Sequence, residues 1–334
     1  MSRSRATEPQ ASTPSSAAPA ATSGSGAKRS RAFALRAALG IAIVAILLWH
    51  YDARPVLRTL AREHLVYFAI AVALYLAGQV MSAYRWRLLA AMVNLRGPFA
   101  EFLTYYFIGM FTNLFVPGLV GGDAARAVYL GRRHQRIGDA FASVVADRGI
   151  GLVAIFWLAA FAAIFLNGSA LPPAVTRPAI AVGAIALLGF LTAPIFARLL
   201  YLAPAIIRRS AGLAAPYLHR PAATIPALIL SLVLQVSLAV AQWILARGLG
   251  LDAPLALFIL CVPIANLFTA LPITLNGLGI RETAYVALFG MAGMGKNDAI
   301  AIGLLWFAAT MLGGLTGLYP FVTTSLPPII STEA

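Results

Sequence analysis

Long apolar runs separated by short clusters of Arg, Gly and Pro set the rhythm of this chain. The runs cover residues 33–49, 65–84, 101–125, 140–166, 178–199, 222–246, 255–292 and 299–325. A helix needs about 20 apolar residues to cross the hydrocarbon core of a bilayer. The runs at 65–84, 140–166, 178–199, 222–246 and 299–325 meet that length, and Phe33–Trp49 approaches it. The runs at 101–125 and 255–292 differ, because each contains a helix breaker. The first reads Asn113-Leu114-Phe115-Val116-Pro117-Gly118, then Gly121-Gly122-Asp123 and Arg126. The second reads Asn266-Leu267-Phe268, then Pro272, Asn276-Gly277-Leu278-Gly279-Ile280-Arg281-Glu282. Both open on Asn-Leu-Phe and both continue as Pro-x4-Gly-x3-Arg.

Interrupted backbone at membrane depth must be satisfied by protein or by water lining a cavity. A matched pair of interruptions in the two halves of a chain is the sequence pointer to a transporter's binding site. The flanking charges predict how these segments sit. Arg85, Arg87 and Arg96 precede the run 101–125, and Arg126, Arg132, Arg133 and Arg136 follow it, so both ends are expected on the cytoplasmic side. One straight span cannot satisfy that, whereas a re-entrant hairpin can. Counting spans onward puts the second hairpin on the opposite face. The expected fold is therefore an all-α polytopic membrane protein, with about six spanning helices plus two re-entrant helical hairpins arranged as an inverted repeat. Arg54, Arg58 and Arg62 do not fit this count, since it places them outside beside Asp52 and Glu63.

Composition supports the membrane assignment. Of 334 residues, 60% are hydrophobic and 11% charged, and the mean hydropathy is +0.84; a soluble domain needs far more polar surface. The net charge of +14 comes from Arg at the ends of apolar runs, which suits anionic headgroups and not nucleic acid. Residues 1–32, rich in Ser, Ala, Thr and Pro, read as a disordered basic cytoplasmic tail and not a cleaved signal peptide. A transmembrane domain over 33–326 and a short tail over 327–334 complete the expected organisation. The single Cys261 excludes disulfides within the chain and cysteine-based zinc sites.

Charge at membrane depth costs about 2.5–3.5 kcal/mol per residue on insertion scales, so it is usually functional. Asp123 and Arg126 share a helix face beside the first break, and Arg281 and Glu282 follow the second, with Tyr285 one turn on. Asp147 and Arg148 lie in the 140–166 run, where a structural ion pair is the competing reading. Arg85 and Arg87 flank Trp86, which is also the pattern of an interfacial anchor. Guanidinium groups bind phosphate bidentately and keep their charge when partly buried. Gly121, Gly122 and Gly277 let backbone amides approach a headgroup, and Asn113 and Asn276 add polar side chains at the breaks. The expected substrate-binding set is Arg85, Asn113, Gly121, Gly122, Asp123, Arg126, Asp147, Arg148, Asn276, Gly277, Arg281, Glu282 and Tyr285, with no metal and no cofactor.

At these residues the chain resembles the lysylphosphatidylglycerol synthase transmembrane family, also called flippase-like membrane proteins. The resemblance is carried by Tyr84-Arg85-Trp86-Arg87-Leu88-Leu89, by Asn113-x3-Pro117-Gly118-x2-Gly121-Gly122-Asp123-x2-Arg126, by Ser143-Val144-x2-Asp147-Arg148, and by Asn276-Gly277-Leu278-Gly279-Ile280-Arg281-Glu282-x2-Tyr285. It implies a polytopic helical fold with re-entrant helices and a role in moving lipids. In the multiple peptide resistance factor such a domain translocates lysyl-phosphatidylglycerol, while a separate soluble domain attaches the lysine. That soluble part is not seen here, so aminoacyl transfer is not expected.

The expected function is a flippase for a phosphate-bearing phospho- or glycolipid in a bacterial-type cytoplasmic membrane, with the N-terminus inside. Its partners would be anionic or phosphate-bearing lipids, with a homo-oligomer or a lipid-modifying enzyme as possible protein partners. A headgroup transferase using Asp123 or Glu282 as general base, or a noncatalytic partner subunit, are the alternatives. The sequence contains no His-Glu-x2-His, Gly-x-Ser-x-Gly or ATP-binding motif.

Overall fold

A computed structural model describes residues 58–61, 63–115, 120–166, 171–199, 215–269 and 278–327. The basic tail, the Phe33–Trp49 run, both Pro-containing breaks with Asn276 and Gly277, and residues 328–334 lie outside the described residues. All regular structure among the described residues is helical. In chain order the helices are α1 (Leu65–Met92), α2 (Phe99–Phe115), α3 (Val120–His134), α4 (Ile137–Phe165), α5 (Pro173–Leu199), α6 (Ala215–His219), α7 (Ile225–Gly248), α8 (Leu255–Thr269), α9 (Ile280–Met291), α10 (Lys296–Leu315) and α11 (Leu318–Thr323).

Among the described residues, five stretches are long and apolar enough to cross a membrane: Leu65–Met92, Ile137–Phe165, Pro173–Ile195, Pro221–Gly248 and Lys296–Thr323. They correspond to the five clean runs of the sequence; the sixth expected span, Phe33–Trp49, is outside the described residues. The helices on either side of each breaker are shorter. At 1.5 Å per residue, α2 and α3 rise about 25 and 22 Å, and α8 and α9 about 22 and 18 Å, all short of the roughly 30 Å hydrocarbon core.

Each short pair folds back on itself. Along α2 and α3 the contacts run in opposite directions: Glu101 meets Arg133 at 3.6 Å, Tyr105 meets Tyr129 with ring centroids 5.3 Å apart, and Gly109 meets Gly122. In the second pair Phe258, near the start of α8, packs on Phe289, near the end of α9, at 4.9 Å.

The two halves share a construction. α1 ends with Asn94 at φ 62, and α7 with Gly250 at φ 78. In each, the next amide reaches back to the last turn: Leu95 N–H to the Ala90 carbonyl at 3.0 Å, and Leu251 N–H to Ala246 at 3.0 Å. This left-handed stop satisfies carbonyls that a helix end leaves open. Six residues separate α1 from α2 and α7 from α8, and the last of the six is a proline, Pro98 or Pro254. The same stop closes α3 at Gln135 (φ 56) and α9 at Gly293 (φ 87), before α4 and α10 begin. A span, a short helix, a break, a second short helix and another span thus occur in this order twice.

α1 and α7 pack along each other, and α4 and α10 each pack against both. Trp86, Phe102, Ile108 and Leu130 fill the core between α1 and the first short pair, and Phe258, Tyr285, Phe289 and Ile302 fill the core around the second. α5 packs on α4 and turns large apolar side chains such as Leu188 and Leu191 outward, as a lipid-facing helix does.

Candidate functional site

Five charged side chains from three helices meet beside the first short pair. Asp147 of α4 is 1% exposed; its Oδ1 accepts from Arg85 Nε of α1 at 2.7 Å, and its Oδ2 from Arg126 Nη1 of α3 at 3.0 Å. Arg126 also donates through Nε to Asp123 Oδ1 at 3.1 Å. Arg148 of α4 then takes both oxygens of Asp123, with Nε–Oδ2 at 2.7 Å and Nη2–Oδ1 at 2.9 Å. The result is an alternating chain, Arg85–Asp147–Arg126–Asp123–Arg148, with three positive and two negative groups.

The packing around this chain explains how burial is tolerated. Removing an ion from water costs several kcal/mol unless partners satisfy it. Arg85 Nη1 donates to Ser231 Oγ of α7 at 2.9 Å. Arg126, 2% exposed, lies over the rings of Trp86 and Tyr106 at 5.0 and 5.1 Å, a favourable place for a cation. Trp86 donates its indole N–H to Ser143 at 3.0 Å. Arg126 Nη2 is buried and close to Asp123 Oδ1 (3.0 Å), yet makes no hydrogen bond of acceptable geometry.

A cavity of about 140 Å³ opens onto this cluster. Asp123, Arg126, Arg148, Asn113, Gly122, Gly109, Tyr75, Gln79, Tyr106 and Thr310 line it. Its backbone wall depends on the close meeting of α2 and α3. A Cβ on Gly109 would stand 2.8 Å from the Gly122 carbonyl oxygen, inside van der Waals contact. Gly122 N–H donates to Asn113 Oδ1 at 2.7 Å, tying the start of α3 to the end of α2. A second, larger cavity of about 650 Å³ lies between α4, α5, α8 and α9, lined by Phe156, Val182, Phe268, Ala287 and other apolar side chains with no charged group. It is suited to hydrocarbon. Of these two cavities, the smaller has the chemistry to hold an anion.

Around the second short pair the charges are used differently. Glu282 Oε2 accepts from Gly279 N–H at 2.5 Å, closing the first turn of α9 as the carboxylate half of a capping box. Arg281 is buried in that first turn. It lies within electrostatic reach of the Tyr75 hydroxyl, a side chain that lines the smaller cavity. Tyr285 hydrogen-bonds Gln242 of α7.

The structure therefore brings together Arg85, Asn113, Gly122, Asp123, Arg126, Asp147 and Arg148. Gly121 adjoins them in the first turn of α3. Arg281, Glu282 and Tyr285 belong to a neighbouring cluster. Asp147 and Arg148 do not pair with each other: neighbours on a helix point about 100° apart, and each serves a different partner. The interfacial-anchor reading fails for Trp86, which is fully buried. Ser231 and Gln242 were absent from the sequence set, although a signal existed. Ser231, Gln235 and Gln242 lie on one face of an otherwise apolar helix, and all three are buried. Outside the spans, Glu63 presses its carboxyl against Gly248 at the end of α7. Burial pushes that carboxyl up to about 7.

Comparison with known proteins agrees with the architecture. The family described as the lysylphosphatidylglycerol synthase TM region matches residues 33–317. The chain belongs to this family. It is a multi-pass membrane protein, and the family match takes in both short pairs and the whole charged cluster. A UPF0104 membrane protein of Pyrococcus horikoshii is 27% identical over 128 residues, which is 37% of this chain and 38% of that relative. The aligned stretch thus spans less than two thirds of that protein. No solved structure matches the chain.

Proposed function

We propose that this family member is a flippase that carries a phosphate-bearing lipid, a phospholipid or glycolipid, across a bacterial-type cytoplasmic membrane. The observation that carries the reading is the small cavity where Arg126 and Arg148 converge beside two helices too short to span. A guanidinium pair recognises a phosphate through parallel N–H···O bonds. Membrane-embedded charge of this kind marks a substrate path. The larger apolar cavity offers hydrocarbon a place beside the second pair.

In this reading α2–α3 and α8–α9 are re-entrant hairpins. Three spans, α4, α5 and α7, separate them, so the hairpins enter from opposite faces, with the basic ends of the first on the cytoplasmic side and the N-terminus inside. The repeated order of stop, proline, short helix and break supports an inverted repeat, the architecture that places a site near the midplane. Transport, and not bond-making, is the activity, with membrane lipids as the partners.

The test is leaflet exchange in liposomes carrying the full chain and a fluorescent anionic phospholipid. Membrane-impermeant reductant should reach label from both leaflets when wild-type protein is present, and outer-leaflet label only with Arg126→Ala. No difference between protein-containing and empty liposomes would sink the reading. A lipid species missing from a deletion strain, with leaflet placement intact, would favour a headgroup transferase or its partner subunit.

A further inference from the structure

We infer that Asp123 is a displaceable stand-in for the substrate's phosphate, and that the site is built for a phosphodiester carrying one negative charge. This rests on the flippase reading and assigns the ligand class and the gating residue of that same cavity.

The two aspartates of the cluster are not equivalent. Asp147 is 1% exposed, and its oxygens are divided between arginines of two different helices. It does not line the cavity. Removing it would leave Arg85 in the interior without its carboxylate partner, and Arg126 with Asp123 alone. Asp123 has a side chain 19% exposed, lines the cavity, and offers both oxygens to Arg148, whose own side chain is 42% exposed. If Asp123 swings away, Arg126 keeps Asp147, and Arg148 is left facing the cavity, where an incoming anion takes the carboxylate's place.

What replaces it is limited by charge and chemistry. The cavity of about 140 Å³ has room for a phosphate group beside the two guanidinium groups. Three arginines against two aspartates leave the cluster with one positive charge. A phosphodiester neutralises it, and a doubly charged phosphate overshoots. The buried Nη2 of Arg126, which finds no hydrogen bond in the present arrangement, supplies a donor for the incoming oxygen. Asp123 also joins α3 to α4 through Arg148, so its displacement removes one of the two ion pairs between these helices, Arg126–Asp147 remaining.

The experiment is equilibrium binding to the purified full chain in detergent. The probes are short-chain phosphatidylglycerol (a phosphodiester), short-chain phosphatidic acid (a monoester) and inorganic phosphate. Wild type should prefer the phosphodiester, and Asp123→Asn should bind it roughly tenfold more tightly, since a carboxylate no longer competes for the arginines. Arg148→Gln should lose at least about tenfold, and the double variant should return to within a few-fold of wild type. If Asp123→Asn does not fold, as judged by its thermal melt, the double variant decides: affinity as low as that of Arg148→Gln alone overturns the inference. Wild-type binding that is unchanged or weakened by Asp123→Asn also overturns it, while the lipid site stands. Equal binding of inorganic phosphate and phosphodiester overturns the ligand class. Binding of no probe by wild type or either variant sinks both this inference and the flippase reading.

Discussion

Replacing Asp147 by Asn should be among the most damaging conservative substitutions in this protein. The change preserves shape and removes one charge. Asp147 accepts from Arg85 at 2.7 Å and from Arg126 at 3.0 Å, and an amide retains only one acceptor oxygen. One guanidinium loses its partner, and two buried arginines are left without the carboxylate they share. Removing one member of a buried ion pair costs about 3–5 kcal/mol. For a domain of a few hundred residues each kcal/mol shifts the melting temperature by about 2–4 °C, so a drop on the order of 10 °C is expected. Arg148→Gln is the control, because its side chain lines the cavity and its partner Asp123 keeps Arg126, so less uncompensated charge is left in the interior. The assay is thermal unfolding of the purified protein in detergent, followed by tryptophan fluorescence. If Asp147→Asn melts within about 2 °C of wild type, or no lower than Arg148→Gln, the five-member charge chain does not hold the helices together and the reasoning is wrong.

Two further predictions concern other parts of the fold. Gly122→Ala should open the first short pair, because a Cβ there overlaps the Gly109 carbonyl oxygen and crowds the Asn113 amide at 2.6 Å; overpacking of this kind costs about 1–3 kcal/mol. Lipid exchange in liposomes should fall more than the melting temperature does, and full exchange by Gly122→Ala would contradict the close approach. The raised carboxyl of Glu63, about 7 when folded against 4.5 in its ordinary state, makes the folded protein hold a proton that the unfolded chain has released. Stability should therefore rise as pH falls through 7 and level off below about 4.5, and Glu63→Gln should remove that rise in melts taken across this range. A wild-type profile already flat between pH 4.5 and 7.5 would refute the burial of Glu63 against Gly248.

Much of the architecture was legible from the pattern of apolar runs. Spanning helices are long, uniformly apolar and ended by charge, so single-sequence reading finds them. The short helices were legible because α2 and α8 stop, and α3 and α9 start, on either side of the Pro- and Gly-containing stretches, which lie outside the described residues. The positions of Asp123 and Arg126 followed from helical spacing alone. What remained hidden depends on which face of each helix meets which neighbour. Asp147 and Arg148 look like a pair in the sequence because they are adjacent; in the fold they point apart, Asp147 holding α1 and α3 through Arg85 and Arg126, and Arg148 holding α3 through Asp123. Arg85-Trp86-Arg87 carries the signature of a headgroup anchor, but α4 and α3 cover that face, so Trp86 is core and Arg85 is a cluster member. Glu282 lies within electrostatic reach of Arg281, and its carboxylate oxygen also closes the start of α9, which the sequence did not signal.

The central claim is that a lipid phosphate sits between Arg126 and Arg148, and the lipid that stays with the protein tests it most directly. Native mass spectrometry of the full chain, purified gently from its membrane, should show one retained phosphodiester lipid on wild type. That lipid should be absent from Arg126→Ala and depleted from Arg148→Gln. Retention of a lipid without phosphate, or equal retention of the same phospholipid by all three proteins, would contradict the account.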